Sequence, residues 1–314
     1  MLVTAYCLSH GHWTVIPHHL EENFKDMADC GFHAVALSFS ESEMAYSRRA
    51  FEIQVALARK CGLRVFVIPS RLGGRFAGSP LAPGLWISAH PEAQVPGHVG
   101  FAGPLACVEN GGFRAWIREF MGTLLRDYPL DGIIWDEPKY ENLVSTHPDT
   151  VAKYGPHPTP EQMEDGFVDF LSDLTAHCLS IRPGLTITLF NQKTSSPRFT
   201  RASAAVPGIR YAGYDGNLCR QSFFHEEPRW AKYRLESVWE RTVEECADAK
   251  RGTFALVENM LMPRVAIPEY RANLEAYLKE YHPDHLALYY YAHNNEDPEA
   301  VHQVTRDLMK KYLP

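Results

Sequence analysis

The sequence predicts a (β/α)8 barrel, and three features carry that expectation. Eight short apolar runs alternate with amphipathic segments along 314 residues. The runs are continuous instead of alternating, as expected of parallel strands covered on both faces. An open doubly wound sheet would carry a Gly-rich phosphate turn after its first strand. Leu8-Ser9-His10-Gly11-His12-Trp13 stands there instead. The length suits one barrel domain spanning residues 1–314.

The elements follow in order. The first strand is Val3 to Leu8, and its helix opens near Pro17 and stops at Gly31, a residue suited to the position after a helix end. Strand two is Ala34 to Phe39, followed by a helix through Phe51, Leu57 and Ala58 that ends at Gly62. Strand three is Leu63 to Pro69, and a helix carrying Trp116, Ile117, Phe120, Leu124 and Leu125 ends before Pro129. Strand four is Gly132 to Trp135, and Thr159-Pro160-Glu161-Gln162 announces its helix as a capping box with Pro in the first turn. Strand five is Leu185 to Phe190, and strand six runs from Ile209 to about Tyr214. A long helix is expected over Arg229 to Ala249. Strand seven is Phe254 to Val257, with a helix from Pro268, and strand eight is Leu286 to Tyr291. Asp297-Pro298 then caps the last helix.

Between strand three and its helix, residues 71–111 show no good helical or strand period. The stretch is dense in Gly and Pro but keeps Trp86 and Phe101. An insertion of that length is usually functional or disordered, and its aromatics argue for order. Its place after a strand end puts it on the barrel's active face, so it reads as a lid.

Charge and composition narrow the function classes. Lys and Arg total 31 against 38 Asp and Glu, a net charge of −7, which argues against a nucleic-acid groove or a polybasic membrane anchor. No apolar run approaches a membrane span, and Met1 to Tyr6 enters a strand at once, with no room for a signal peptide. Seven cysteines without a CxxC read as free thiols. These features point to a cytoplasmic chain, and no motif calls for a cofactor or structural metal.

Side chains at the C-terminal ends of barrel strands face the active site. Those positions supply His10 and His12; Ser40 and Glu41; Ser70 and Arg71; Asp136, Glu137 and Lys139; Asn191; Tyr214 and Asp215; Glu258 and Asn259; and His293. Such a ring of donors and acceptors suits a polyhydroxylated ligand. Trp13, Trp135, Tyr214 and Tyr291 offer flat faces for a sugar ring. Strand four runs directly into Asp136-Glu137-Pro138, where Pro138 is expected to hold Glu137 extended. Strand seven runs into Glu258-Asn259 across the mouth. Opposed carboxyl groups are what glycosidic cleavage needs, one to protonate the leaving oxygen and one to attack or activate water. The structural alternative for Glu137 is a rim ion pair with Lys139 or Arg71.

This layout resembles the (β/α)8 glycoside hydrolases whose acid/base follows strand four and whose nucleophile follows strand seven. That clan's strand-four motif usually ends in Asn-Glu, where this chain has Asp136-Glu137. Asp131-Gly132 with acids further on is also similar to the chitinase-type Asp-Gly-x-x-x-Asp-x-Glu, one intervening residue short. The resemblance implies a glycoside hydrolase acting on a small glycoside or oligosaccharide. Glu137 would be acid/base and Glu258 nucleophile or base, with Asp136 the other candidate donor. His10, His12, Arg71, Trp135, Lys139, Asn191, Tyr214, Asp215, Asn259 and His293 would bind sugar. His10-Gly11-His12 also resembles the metal-binding start of the amidohydrolases, although most of that family's remaining metal shell is absent. A metal-dependent hydrolase or sugar isomerase is therefore the alternative reading, and a non-catalytic sugar-binding barrel is a third.

Overall fold

The computed structural model describes residues 1–8, 15–100, 102–139, 144–219, 234–289 and 295–313. Its strands are β1 (Leu2–Cys7), β2 (Ala34–Phe39), β3 (Arg64–Pro69), β4 (Gln94–Gly100), β5 (Gly103–Ala106), β6 (Gly132–Asp136), β7 (Thr186–Asn191), β8 (Ile209–Gly216), β9 (Gly252–Val257) and β10 (His285–Tyr289). The helices are α1 (Pro17–Asp29), α2 (Glu41–Tyr46), α3 (Arg48–Lys60), α4 (Leu85–Ala89), α5 (Gly111–Asp127), α6 (Pro148–Tyr154), α7 (Pro160–Ile181), α8 (Pro197–Ala204), α9 (Trp239–Ala249), α10 (Ile267–Glu280) and α11 (Pro298–Tyr312). Eight strands close into a barrel in the order β1-β10-β9-β8-β7-β6-β3-β2, each pair parallel. The barrel's fourth strand is therefore β6 and its seventh is β9.

Local chemistry explains several boundaries. At α7, Gln162 N–H donates to Thr159 Oγ1 at 3.3 Å while Thr159 N–H donates to the Gln162 side chain at 2.8 Å, closing the capping box. Asp297 caps α11 by accepting from Ala300 N–H at 3.1 Å. The helix expected from Arg229 is shorter. A 3₁₀ turn over Leu235–Val238 precedes α9, and residues 220–233 lie outside those described. Strand eight is described as far as Tyr289, and Tyr291 lies outside the described residues.

The insertion after β3 differs from its expected lack of regular structure. It holds α4 and an antiparallel β4–β5 hairpin. These pieces are too short, and too rich in Gly and Pro, to show a period in sequence. The insertion is fastened at several points. Glu41 accepts from Gly73 N–H at 3.2 Å and from Trp86 N–H at 2.5 Å. Trp86 stacks between His90 at 4.1 Å and Trp116 of α5 at 5.1 Å.

Two apolar cores result from the strand period. One fills the lumen, with Tyr6, Phe66, Ile68, Ile134, Phe190, Phe254 and Leu256. The other lies between strands and helices and includes Ile133, Trp135, Phe167, Leu189 and Val257. Near the barrel floor His285 is fully buried. Its Nε2 pairs with Thr4 Oγ1 at 2.8 Å and its Nδ1 with Thr188 Oγ1 at 3.0 Å. Burial pushes its pKa down to about 3, so the ring is a neutral strut across the lumen.

Close strand approach fixes one glycine. A Cβ on Gly213 of β8 would lie 1.9 Å from the Phe254 carbonyl oxygen of β9. Gly213→Ala should therefore force the two strands apart and cost about 3 kcal/mol or more. Gly184, whose Cβ would meet nothing within 4 Å, is the control. Denaturant melts of the two alanine variants check this, and equal midpoints would refute the packing argument.

Candidate active site

Alternation along each strand decides which expected site residues reach the lumen. On β6 the inward set is Gly132, Ile134 and Asp136. Ile134 belongs to the lumen core, whereas Ile133 and Trp135 belong to the helix-side core. Asp136 is buried, and its Oδ2 accepts from Tyr6 Oη of β1 at 2.7 Å. Burial first, and the neighbouring Glu137 charge second, push its carboxyl up to about 7. Burial and the Asp136 charge likewise raise the Tyr6 phenol, which stays a donor.

Glu137 departs from the extended geometry expected before Pro138. Its φ is +41°, in the left-handed region that non-glycine residues avoid. The reason is that the strand ends here. Glu137 N–H still pairs with the Phe190 carbonyl at 3.2 Å, and the chain then turns so that Lys139 Nζ reaches Glu137 Oε2 at 2.8 Å. The carboxylate stays near the mouth, because its charge bears on both Tyr6 and Arg71. A non-glycine residue held there costs on the order of 1–3 kcal/mol, and such strain clusters at functional sites.

The insertion straps this turn. Ala77 N–H donates to the Asp136 carbonyl at 2.8 Å, and Lys139 N–H to the Arg75 carbonyl at 2.9 Å. The buried Arg75 guanidinium closes the strap, donating to the Ala106 carbonyl at 2.5 Å and the Lys139 carbonyl at 2.8 Å.

On the far side of the ring, Phe254 and Leu256 of β9 point into the lumen. By the same period Glu258 does too, and its N–H extends the ladder to the Gly216 carbonyl at 2.8 Å. Asp215 of β8 occupies the inward register beside Leu256. Both acids are buried. Asp136, Asp215 and Glu258 thus share the lumen face at the C-terminal end of the barrel, with Glu137, Lys139 and Arg71 at its rim.

Four expected sugar-binding residues face the other way. Trp135 is fully buried against Phe76 at 5.0 Å, and its Nε1 donates to Thr175 Oγ1 of α7 at 3.2 Å. Tyr214 Oη donates to Glu245 Oε2 of α9 at 2.7 Å. Asn191 Nδ2 donates to Ser203 Oγ of α8 at 3.1 Å. Asn259 Nδ2 is shared among Tyr270 Oη, the Tyr289 carbonyl and Thr305 Oγ1, at 3.1, 3.3 and 3.4 Å. Each sits one residue off the lumen register, so it ties a strand end to its helix. His10, His12 and His293, like Trp13 and Tyr291, lie outside the described residues.

Tyr6 and Tyr289 lie within β1 and β10, so the residues that follow each strand in sequence do not include them. They meet edge to face at 5.4 Å beneath Asp136. The available signal was the alternation Leu2, Thr4, Tyr6. Among the described residues no group of three or more His, Cys, Asp or Glu is arranged to hold a metal ion. The cysteines are unpaired, and no described helix is long and apolar enough to cross a membrane.

Solved structures share this fold along nearly the whole chain. A β-galactosidase from Marinomonas ef1 matches with a TM-score of 0.67 at 9% identity, over 99% of this chain and 59% of that one. The catalytic domain of a β-amylase from Paenibacillus polymyxa gives 0.65 at 8% identity, over 100% of this chain and 98% of that one. An endo-1,4-β-mannanase from Rhizomucor miehei gives 0.60 at 12% identity, over 99% and 94%. These neighbours are (β/α)8 glycoside hydrolases, and at such identities the likeness establishes the fold. No protein-family model matches the sequence, and no curated protein does.

The buried acid makes stability depend on pH. The unfolded chain releases the Asp136 proton near the ordinary carboxylate value, about 3.9, whereas the folded chain holds it to about 7. Stability is therefore lost as pH rises between those values, by on the order of a few kcal/mol. Asp136→Asn, which still accepts from Tyr6, should melt higher than the wild type at alkaline pH, with the gap closing toward acid pH. Thermal melts across pH check this, and a gap independent of pH would refute it.

Proposed function

We propose that the chain is a glycoside hydrolase acting on a small glycoside or short oligosaccharide, with the Asp136–Glu137 pair supplying the proton and Glu258 acting as nucleophile or base. One observation carries the reading. Two adjacent carboxyl groups at the end of β6 are both buried but have different partners, one against the Tyr6 hydroxyl and holding its proton to about 7, the other against the Lys139 ammonium at 2.8 Å. Acid/base division of this kind is how paired carboxyl groups work at neutral pH.

Of the pair, Asp136 is the better donor. Its Oδ2 is occupied by the Tyr6 hydroxyl. When the carboxyl is protonated the proton therefore sits on Oδ1. Transfer from Oδ1 to the glycosidic oxygen leaves an Asp136 carboxylate that Tyr6 stabilises. Glu258, on the opposite strand end, meets the developing positive charge at the anomeric carbon, by attack or through a water. Arg71, Lys139 and Asp215 bind the sugar in this reading, and His10, His12 and His293 join them by their places after β1 and β10. The insertion 71–111 serves as wall and lid, supported by its strap across Asp136 and Lys139. A walled mouth favours a short substrate entering from one end.

Hydrolysis of a panel of 4-nitrophenyl glycosides from acid to alkaline pH tests the reading. The rate should fall as pH rises through about 7. Asp136→Asn should abolish that alkaline limb and lower the rate by about 10²–10⁴. The Tyr6 hydrogen bond lowers the Asp136 pKa, so Tyr6→Phe should move the limb to higher pH. A limb that survives in Asp136→Asn and disappears in Glu137→Gln would make Glu137 the donor. Failure to cleave any member of the panel would overturn the assignment.

A further inference from the structure

The geometry points to a sugar bearing an anionic substituent, a carboxylate or a phosphate, as the ligand of this mouth, with the Arg71 guanidinium as the group that binds it. The inference deepens the glycosidase reading by naming its substrate class, and its binding arm stands apart from that reading.

Arg71 is a held side chain, not a loose one. It lies just past β3 with φ +60°. Its N–H donates to the Ala77 carbonyl at 3.1 Å and its carbonyl accepts from Gly74 N–H at 2.9 Å. Its Nε donates to the Gly78 carbonyl at 3.0 Å, which fixes one edge of the guanidinium plane. Gly78 is required for that carbonyl to be there. Its φ is +98°, and a Cβ would lie 2.3 Å from Ser70 Oγ. The turn therefore presents a half-buried guanidinium in one orientation.

The rest of the fork is unspent. Among the described residues, neither Nη of Arg71 has a hydrogen-bond partner and no carboxylate lies within ion-pair distance. Other partly buried arginines are treated differently. Arg182 donates to three backbone carbonyls, and Arg241 engages Glu245, Thr200 and two carbonyls. A half-buried guanidinium whose two Nη groups lack hydrogen-bond partners is costly, and a bidentate anion fits such a fork best.

Nearby acids do not meet this need. Asp136 holds its proton to about 7, Glu137 is paired with Lys139, and both oxygens of Glu41 are taken by backbone N–H groups. Burial lowers the Arg71 pKa, but an arginine stays charged at neutral pH. A small cavity beside it is lined by Ser40, Glu41, Ser70, Pro80, Pro83 and Gly84, with the Glu41 oxygens held by the Gly73 and Trp86 N–H groups. The charge is also polarised around the ring. Among the described residues, Arg71 follows β3, whereas Asp215 lies on β8 and Glu258 follows β9, opposite it. A sugar with its anionic group toward β3 keeps that group away from Glu258.

The test compares 4-nitrophenyl glucosides and galactosides with the matching uronides and 6-phosphoglycosides, in both anomers. An acidic series should exceed the neutral one by about 100-fold or more in kcat/KM, and the two acidic arms distinguish carboxylate from phosphate. Arg71→Met should bring the acidic-to-neutral ratio near one, and Arg71→Lys should restore part of it. Preference for neutral glycosides, or a ratio that persists in Arg71→Met, overturns the inference. If no glycoside is cleaved, the glycosidase reading fails separately and calorimetry decides. Glucuronate, galacturonate or glucose 6-phosphate should then bind tighter than glucose and galactose, with the difference lost in Arg71→Met. Equal binding, or none, overturns it.

Discussion

In a closed barrel a strand side chain has two destinations, the lumen or the layer against the helices, and consecutive residues must take opposite ones. The candidate site depends on that constraint throughout. Trp135 and Asp136 are neighbours, yet one packs on Phe76 and α7 while the other meets Tyr6 in the lumen. Tyr214 and Asp215 divide in the same way, as do Glu258 and Asn259. The helix-facing partners anchor the strand ends: Tyr214 to Glu245, Asn191 to Ser203, Asn259 to Tyr270 and Thr305. They fix the register that aims the acids, and so serve the site without lining it.

The alternation fails at one place, and the failure is informative. At Glu137 the backbone enters the left-handed region, so two successive carboxyl groups stay at the mouth. Strain of that kind persists only where the surroundings over-determine it. The surroundings here are the Phe190 ladder bond, the Lys139 ion pair and the strap from Ala77 and Arg75. The insertion is therefore part of the site's construction. Its other moorings, Glu41 beneath and the Trp86–Trp116 stack outside, hold it to α2 and α5.

Electrostatics follow from burial. Asp136 is buried beside the charge of Glu137, so its charged form is disfavoured and its proton persists toward neutrality. Lower in the same lumen, His285 loses its proton for the same reason. One solvent-poor interior thus keeps a carboxyl protonated and an imidazole neutral, each by penalising the charged form. The floor becomes an uncharged support, and the charge that remains is gathered at the rim.

The sequence by itself determined the architecture and the chemistry on offer. Continuous apolar runs such as Ala34 to Phe39, the Thr159 capping box and the Asp297 cap are local patterns, and each appears where the sequence places it. The acids after the fourth and seventh barrel strands were legible for the same reason, because an apolar run ending in carboxylates is a one-dimensional signal. Tertiary structure decided which face each residue takes. Trp135, Tyr214, Asn191 and Asn259 all sat at strand ends, but a shift of one residue in register sends a side chain to the opposite face. It also decided the insertion's order, the left-handed turn at Glu137 and the partnership of Tyr6 with Asp136. Those two residues are 130 positions apart in sequence, and only barrel closure brings β1 and β6 to face each other across one lumen.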